Sequence, residues 1–182
     1  MTELARHPSA GRPVSMGVNG MVVSAHSLAS AAGLGVLADG GNAFDAAVTI
    51  GSTLAVVEPH MSGVGGIGVA LVYVAREGRI RALNFAGRAP LAADPDMFTE
   101  ENKDVGALAP LVPGNVAGWL ALHERYGSLD RARLLRPAID YASRGFPVSS
   151  LTSFVISDAA PRLRLFPASA STVLGSDGRA PA

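Results

Sequence analysis

Cysteine is absent from the 182 residues, which excludes disulfides, thiolate metal sites and a cysteine nucleophile. Charge is scarce as well: 16% of the residues are Asp, Glu, Lys or Arg, against roughly 25% in a typical soluble domain. Fifteen basic residues balance fifteen acidic ones, so the formal net charge is zero. A neutral chain has no long-range attraction for nucleic acid or an anionic membrane, and neither is expected as a partner. Long apolar runs are missing too. Residues 46–57 are uncharged, but twelve residues fall short of the eighteen or so that a membrane span needs. Residues 105–122 are long enough, yet Pro110 and Pro113 break them as a helix. The first twenty residues contain no apolar signal region, so a cytoplasmic location is expected.

What is present suits a packed domain: 48% of the residues are hydrophobic, and low net charge argues against disorder. So few charges on so much surface suggest a piece that buries area against something else. Residues 1–19 read as an irregular leader, 20–160 as the folded body and 161–182 as an irregular tail. The apolar run 21–25 reads as a buried strand, and a helix opens at His26 or Ser27 and stops at Gly40-Gly41. Asn42 is a good N-cap with Asp45 in the first turn, and the apolar stretch behind it predicts a helix buried on all sides. After the glycine-rich 62–68, the run 69–74 predicts a central strand covered on both faces. Glu77-Gly78 turns the chain into 80–85, completing a hairpin. A long connection, 91–113, leads to helices at 115–126 and about 134–142, with Pro137 in the first turn of the latter or at a kink, and at 149–158. This order predicts a layered α/β (α+β) fold with an antiparallel component.

Several candidate motifs yield to simpler readings. Gly63, Gly65 and Gly68 satisfy G-x-G-x-x-G, but they follow a helix and lead into a strand, the reverse of a dinucleotide site. Of His7, His26, His60 and His123, none has zinc-motif spacing. His123 reads as a half-buried helix residue, and His60 as a hydrogen-bonded structural one beside the glycine loop. Arg125, Arg131, Arg133 and Arg136 alternate with Glu124, Asp130 and Asp140, which describes a solvated helix face. There is no G-x-S-x-G and no S-x-x-K, and the sole lysine, Lys103, lies in a charged loop. No metal or cofactor is indicated, and no residue is assigned a catalytic role.

Taken together, a set of motifs resembles the γ-glutamyltransferases (glutathione hydrolases). They are Gly20-Met21-Val22-Val23-Ser24-Ala25-His26, Gly40-Gly41-Asn42-Ala43, Glu58-Pro59-His60-Met61-Ser62-Gly63-Val64-Gly65-Gly66 and Pro113-Gly114-Asn115-Val116-Ala117-Gly118-Trp119. Tyr126-Gly127, Pro137-Ala138-Ile139 and Gly145-Phe146-Pro147-Val148 follow in the family's order, so the resemblance spans about residues 17–155. It implies part of an αββα sandwich of the N-terminal-nucleophile (Ntn) hydrolases, made as a precursor that cuts itself into a large and a small subunit. The small subunit's new N-terminal threonine then attacks a γ-glutamyl amide, with its own α-amine as base. The acyl group passes to water, an amino acid or a peptide.

Two departures qualify that picture. The threonines here, Thr2, Thr49, Thr53, Thr99, Thr152 and Thr172, include no Thr-Thr-His, the family's nucleophile context. The chain is therefore expected to be the N-terminal part of a large subunit, inactive alone, whose partner is the small subunit. Secondly, glutathione-cleaving members carry Asp-Phe-Arg-Glu-x-Ala-Pro after the hairpin, with the arginine holding the substrate's carboxylate. This chain has Asn84-Phe85-Ala86-Gly87-Arg88-Ala89-Pro90. Arg88 lies two positions beyond Ala86, which along a strand keeps the face and moves the side chain about 6.6 Å. Arg88 is thus the candidate substrate-binding residue, suited to bidentate carboxylate capture, the plain alternative being a surface residue before a proline turn. The substrate is expected to be glutathione or, alternatively, another acidic amide, as in oxamate amidohydrolases or cephalosporin acylases. A catalytically silent binding or scaffold module is the reading from a different class.

Overall fold

The computed structural model describes residues 14–181, so His7 and most of the expected leader lie outside the described residues. The first helix, α1 (Ser27–Ala38), starts where the His26 Nδ1 accepts the N–H of Leu28 at 3.2 Å, an imidazole serving as N-cap. Gly40, with φ at 86°, carries the chain out of it. The second helix, α2 (Ala43–Val57), opens with a reciprocal capping box. Asn42 Oδ1 accepts the N–H groups of Phe44 and Asp45, and the Asp45 carboxylate accepts that of Asn42.

Helix α2 is the hub. It packs on α1, on α3 (Asn115–Tyr126) and on α4 (Arg131–Arg144). Two glycines let the helices close. A Cβ on Gly33 would fall 2.5 Å from Ile50, and one on Gly51 would fall 3.0 Å from the Trp119 indole nitrogen. Val36, Ala46, Val48, Leu122 and Leu134 form the core at this junction. Ala43 and Ala47 face solvent, so the burial expected on every side of α2 fails along that narrow stripe.

Strands β1 (Val69–Val74) and β2 (Arg79–Asn84) form an antiparallel pair, in register from Val69↔Asn84 to Val74↔Arg79. A short 3₁₀ turn and Gly78, at φ 61°, join them. Val72 and Leu83 pack on the helical core, while Val69, Leu71, Tyr73 and Ile80 project from the other face and stay exposed. The expectation that 69–74 is covered on both faces is therefore corrected: Leu71 is 76% exposed, because among the described residues nothing lies over the outer face. The run 21–25 is corrected too. It pairs with no strand among the described residues, and Met21 and Val23 are exposed.

Helix α4 runs unbroken through Pro137, two turns inside it rather than in its first turn. The helix expected at 149–158 is longer, α5 (Ser150–Leu163), capped by the Ser149 hydroxyl. The tail 161–182 is not wholly irregular, since α5 reaches into it and α6 (Pro167–Val173) follows. Leu174, just beyond α6, packs with Ile156 and Ala160 of α5, and this apolar contact holds the segment. The α/β expectation holds, with helices dominating a two-stranded sheet. Among the described residues no helix is long and apolar enough to cross a membrane.

Candidate functional site

Three segments meet at one end of the hairpin: the glycine loop 62–68, the stretch after β2, and the start of α3. The ladder extends one step past β1, with Phe85 N–H donating to the Gly68 carbonyl at 3.0 Å. It stops there because the Asn84 side chain accepts the Ala86 N–H at 2.9 Å, turning the backbone out of the sheet. Arg88 thus lies beyond the strand. The strand-based shift from Ala86 to Arg88 is corrected accordingly, as alternation no longer governs which way these two residues point.

The chain beyond Asn84 is instead pinned to the segment before α3. Val112 N–H donates to the Arg88 carbonyl at 3.0 Å, and the Gly114 and Asn115 N–H groups both donate to the Gly66 carbonyl at 2.9 Å. The crossings are too close for side chains. A Cβ on Gly114 would sit 1.9 Å from the Phe85 carbonyl oxygen, and one on Gly87 1.9 Å from that of Val112. The Phe85 ring fills the space between Gly68 and Gly118, within 2.4 Å and 2.2 Å of where their Cβ atoms would be. These glycines are needed for close approach of backbone to backbone and to ring.

Beside this junction lies an open hollow of about 410 Å³, bordered by Pro59, Met61, Ser62, Gly63, Gly66, Ile67 and Asn115. Arg88 is not among its lining residues. Its neighbour Gly87 packs on Ile67, so the segment carrying Arg88 flanks the hollow. The Arg88 side chain is exposed and has no hydrogen bond or ion pair among the described residues. An unengaged guanidinium on the segment that flanks this hollow can take a carboxylate.

The other candidates sort themselves by their contacts. His60 is mostly buried with Nε2 4.0 Å from Glu58 Oε1, but its Nδ1 is enclosed without a partner. The hydrogen-bonded role expected for it is therefore not what the structure gives at that atom. His123 is structural as expected: Nε2 meets the Leu129 carbonyl at 2.7 Å while Nδ1 accepts from Arg131 Nε at 3.3 Å. The arginines of the helix face are largely engaged. Arg133 pairs with Asp39, Arg136 with Asp140, and Arg125 lies over the Tyr126 ring.

Two residues do more than their places at helix starts announced in the sequence. Asp45 is fully buried and, besides capping α2, accepts the Ser128 hydroxyl at 2.6 Å and the Ser128 N–H at 3.0 Å. Burial alone would raise its pKa. The hydrogen bonds from Ser128, Asn42 and Leu129 outweigh burial and hold the carboxyl below its ordinary value. Asn115, 7% exposed, reaches back to the glycine loop with Nδ2 2.8 Å from the Gly63 carbonyl. Its position after Pro113-Gly114, at a helix start, was the available signal.

Comparison with known proteins completes the description. Residues 29–182 match the sequence model of the family described as Gamma-glutamyltranspeptidase. The chain is 39% identical over 160 residues to the Glutathione hydrolase proenzyme of Bacillus subtilis (strain 168), covering 84% of this chain and 27% of that protein. It is 40% identical over 171 residues to the Acylase ACY 1 proenzyme of Pseudomonas sp. (strain V22), covering 87% of this chain and 30% of that one. Among solved structures, the gamma-glutamyltranspeptidase of Helicobacter pylori superposes with a TM-score of 0.89 at 35% identity, over 92% of this chain and 50% of that chain. The chain thus spans only 27–30% of the length of these two curated relatives.

Proposed function

From the premise that this chain belongs to the gamma-glutamyltranspeptidase family, we propose that it is the N-terminal part of the large subunit of an Ntn hydrolase acting on acidic amides. The observation that carries the reading is the superposition on half of a gamma-glutamyltranspeptidase chain with nearly all of this one. In the complete enzyme this part supplies helices, a hairpin and the Arg88 guanidinium. The attacking threonine and its α-amine come from the small subunit. Residues 1–182 contain no threonine in the family's nucleophile context, so the chain alone is inactive and works only when assembled.

Chemically, the assembled site holds the substrate's carboxylate on Arg88 while the threonine hydroxyl adds to the amide carbonyl. The amine leaves, and water or an amine acceptor takes the acyl group. γ-Glutamyl amides, glutathione among them, are the first substrates to try. A second reading, an acylase for another acidic amide, is favoured by Ala86 standing where the glutathione-cleaving pattern has arginine and by the likeness to Acylase ACY 1.

The test is turnover of γ-glutamyl and other acidic amides by the 182-residue chain alone and by a proenzyme that includes it. We expect turnover only in the second case. Arg88→Ala in that proenzyme raises KM at least tenfold for acidic amides and leaves neutral ones unchanged. Unaltered kcat/KM across the acidic series removes Arg88 from the site, and turnover by the chain alone refutes the need for a partner.

A further inference from the structure

We propose that Asn115 is a positioning residue for the substrate hollow, its side-chain amide fixing the glycine loop in the shape that lets ligand approach beside Arg88. This rests on the reading of the hollow given above. The bonds are specific. Asn115 Nδ2 donates to the Gly63 carbonyl and its backbone N–H to the Gly66 carbonyl, so one residue holds both ends of the turn closed by Gly66 N–H on Gly63. The amide also occupies room that side chains would take. A Cβ on Gly66 would lie 2.6 Å from Nδ2, and one on Gly68 3.3 Å from Oδ1.

The other face of the loop is different. At Gly63 and Gly65 an added Cβ would meet nothing within 4 Å, and neither residue has a positive φ. Nothing among the described residues requires glycine at these two positions, and Gly63 borders the hollow. Asn115 and the two loop residues it holds, Gly63 and Gly66, thus border the hollow together. The loop also sets Ile67 against Gly87, the residue before Arg88, so a shift in the loop moves the guanidinium's base.

Asn115 does not cap its own helix: α3 has no side-chain cap, and Gly114 is the N-cap. This separates the proposed role from helix stabilisation, because alanine is the better helix former and aspartate suits a helix N-terminus. Both substitutions remove the donor to Gly63.

The experiment has two arms, with Asn115→Ala and Asn115→Asp as variants. Amide hydrogen exchange in the proenzyme that includes the chain is expected to speed up at least tenfold at Gly66 in either variant, with α2 amides unchanged. In the proenzyme that includes the chain, KM for the acidic amide is expected to rise about tenfold with kcat within about threefold, the pattern of lost binding rather than lost chemistry. Unchanged exchange at Gly66 overturns the clamp. Faster exchange with unchanged KM, or a fall in kcat alone, overturns its link to the hollow. Global unfolding of both variants shows a general structural role and overturns the proposal. If the parent proenzyme turns over no acidic amide, the functional reading and the link to the hollow fail together, while the exchange arm still judges the clamp itself.

Discussion

At the residue scale, Asp45 is the most consequential side chain that pattern reading reduced to a cap. It joins the start of α2 to the turn between α3 and α4, and its carboxylate is held by donors from Asn42, Ser128 and Leu129. Asp45→Ala should cost about 2–4 kcal/mol, since it removes a cap and leaves buried donors unpaired. Denaturant unfolding measures it. The carboxyl titrates lower in the folded chain than in the unfolded one, so its contribution is complete above about pH 4 and drains away as pH falls through the folded value. Asp45→Asn should flatten that acidic limb of the stability curve, and an unflattened limb would assign acid sensitivity to other groups. The sequence revealed Asp45 as a helix-start residue because capping is local. Its bonds to Ser128 are not local, and no spacing rule announces them. Asn115 was hidden in the same way, whereas Arg88 stands out in the sequence because Ala86, two positions before it, departs from a recognised motif.

At the scale of elements, helix positions were readable from caps and stops: Asn42, Gly40, Gly127 and Gly145 all sit where the helices begin or end. What periodicity could not supply was which glycines are there for packing. Gly35 and Gly118 look alike in sequence, each inside a helix, where alanine is worth roughly 1 kcal/mol more. Gly35 has no atom within 4 Å of an added Cβ, while at Gly118 that Cβ would fall into the Phe85 ring. Gly35→Ala should therefore raise stability by about 0.5–1 kcal/mol, and Gly118→Ala should lower it by about 1–3 kcal/mol through overpacking. Thermal melts of the two variants check the opposite signs. The hairpin's outer face was misread for a related reason: a continuous apolar strand announces two covering layers without saying which chain provides them.

At the scale of the whole molecule, apolar surface lies open among the described residues at the face of Val69, Leu71, Tyr73 and Ile80 and in a 330 Å³ apolar groove between α2, α3 and α4, where Trp119 and Ile139 line the walls. Such surface drives self-association when uncovered. Leu71→Lys should leave the hairpin register intact and shift the isolated chain from aggregates towards monomer in light scattering, while weakening assembly of the complete enzyme. An unchanged size distribution would locate the sticky surface elsewhere, with the groove the next candidate. The Asp45–Ser128 tie has a further consequence, in time. Eighty-three residues separate the two in sequence. At about 5–20 residues per second on the ribosome, the carboxylate waits some 4–17 s in water for its hydroxyl to be made. During synthesis α2 can pack on the earlier α1, but its docking against the later helices is deferred, and a nascent chain arrested before Ser128 would remain an open substrate for proteases.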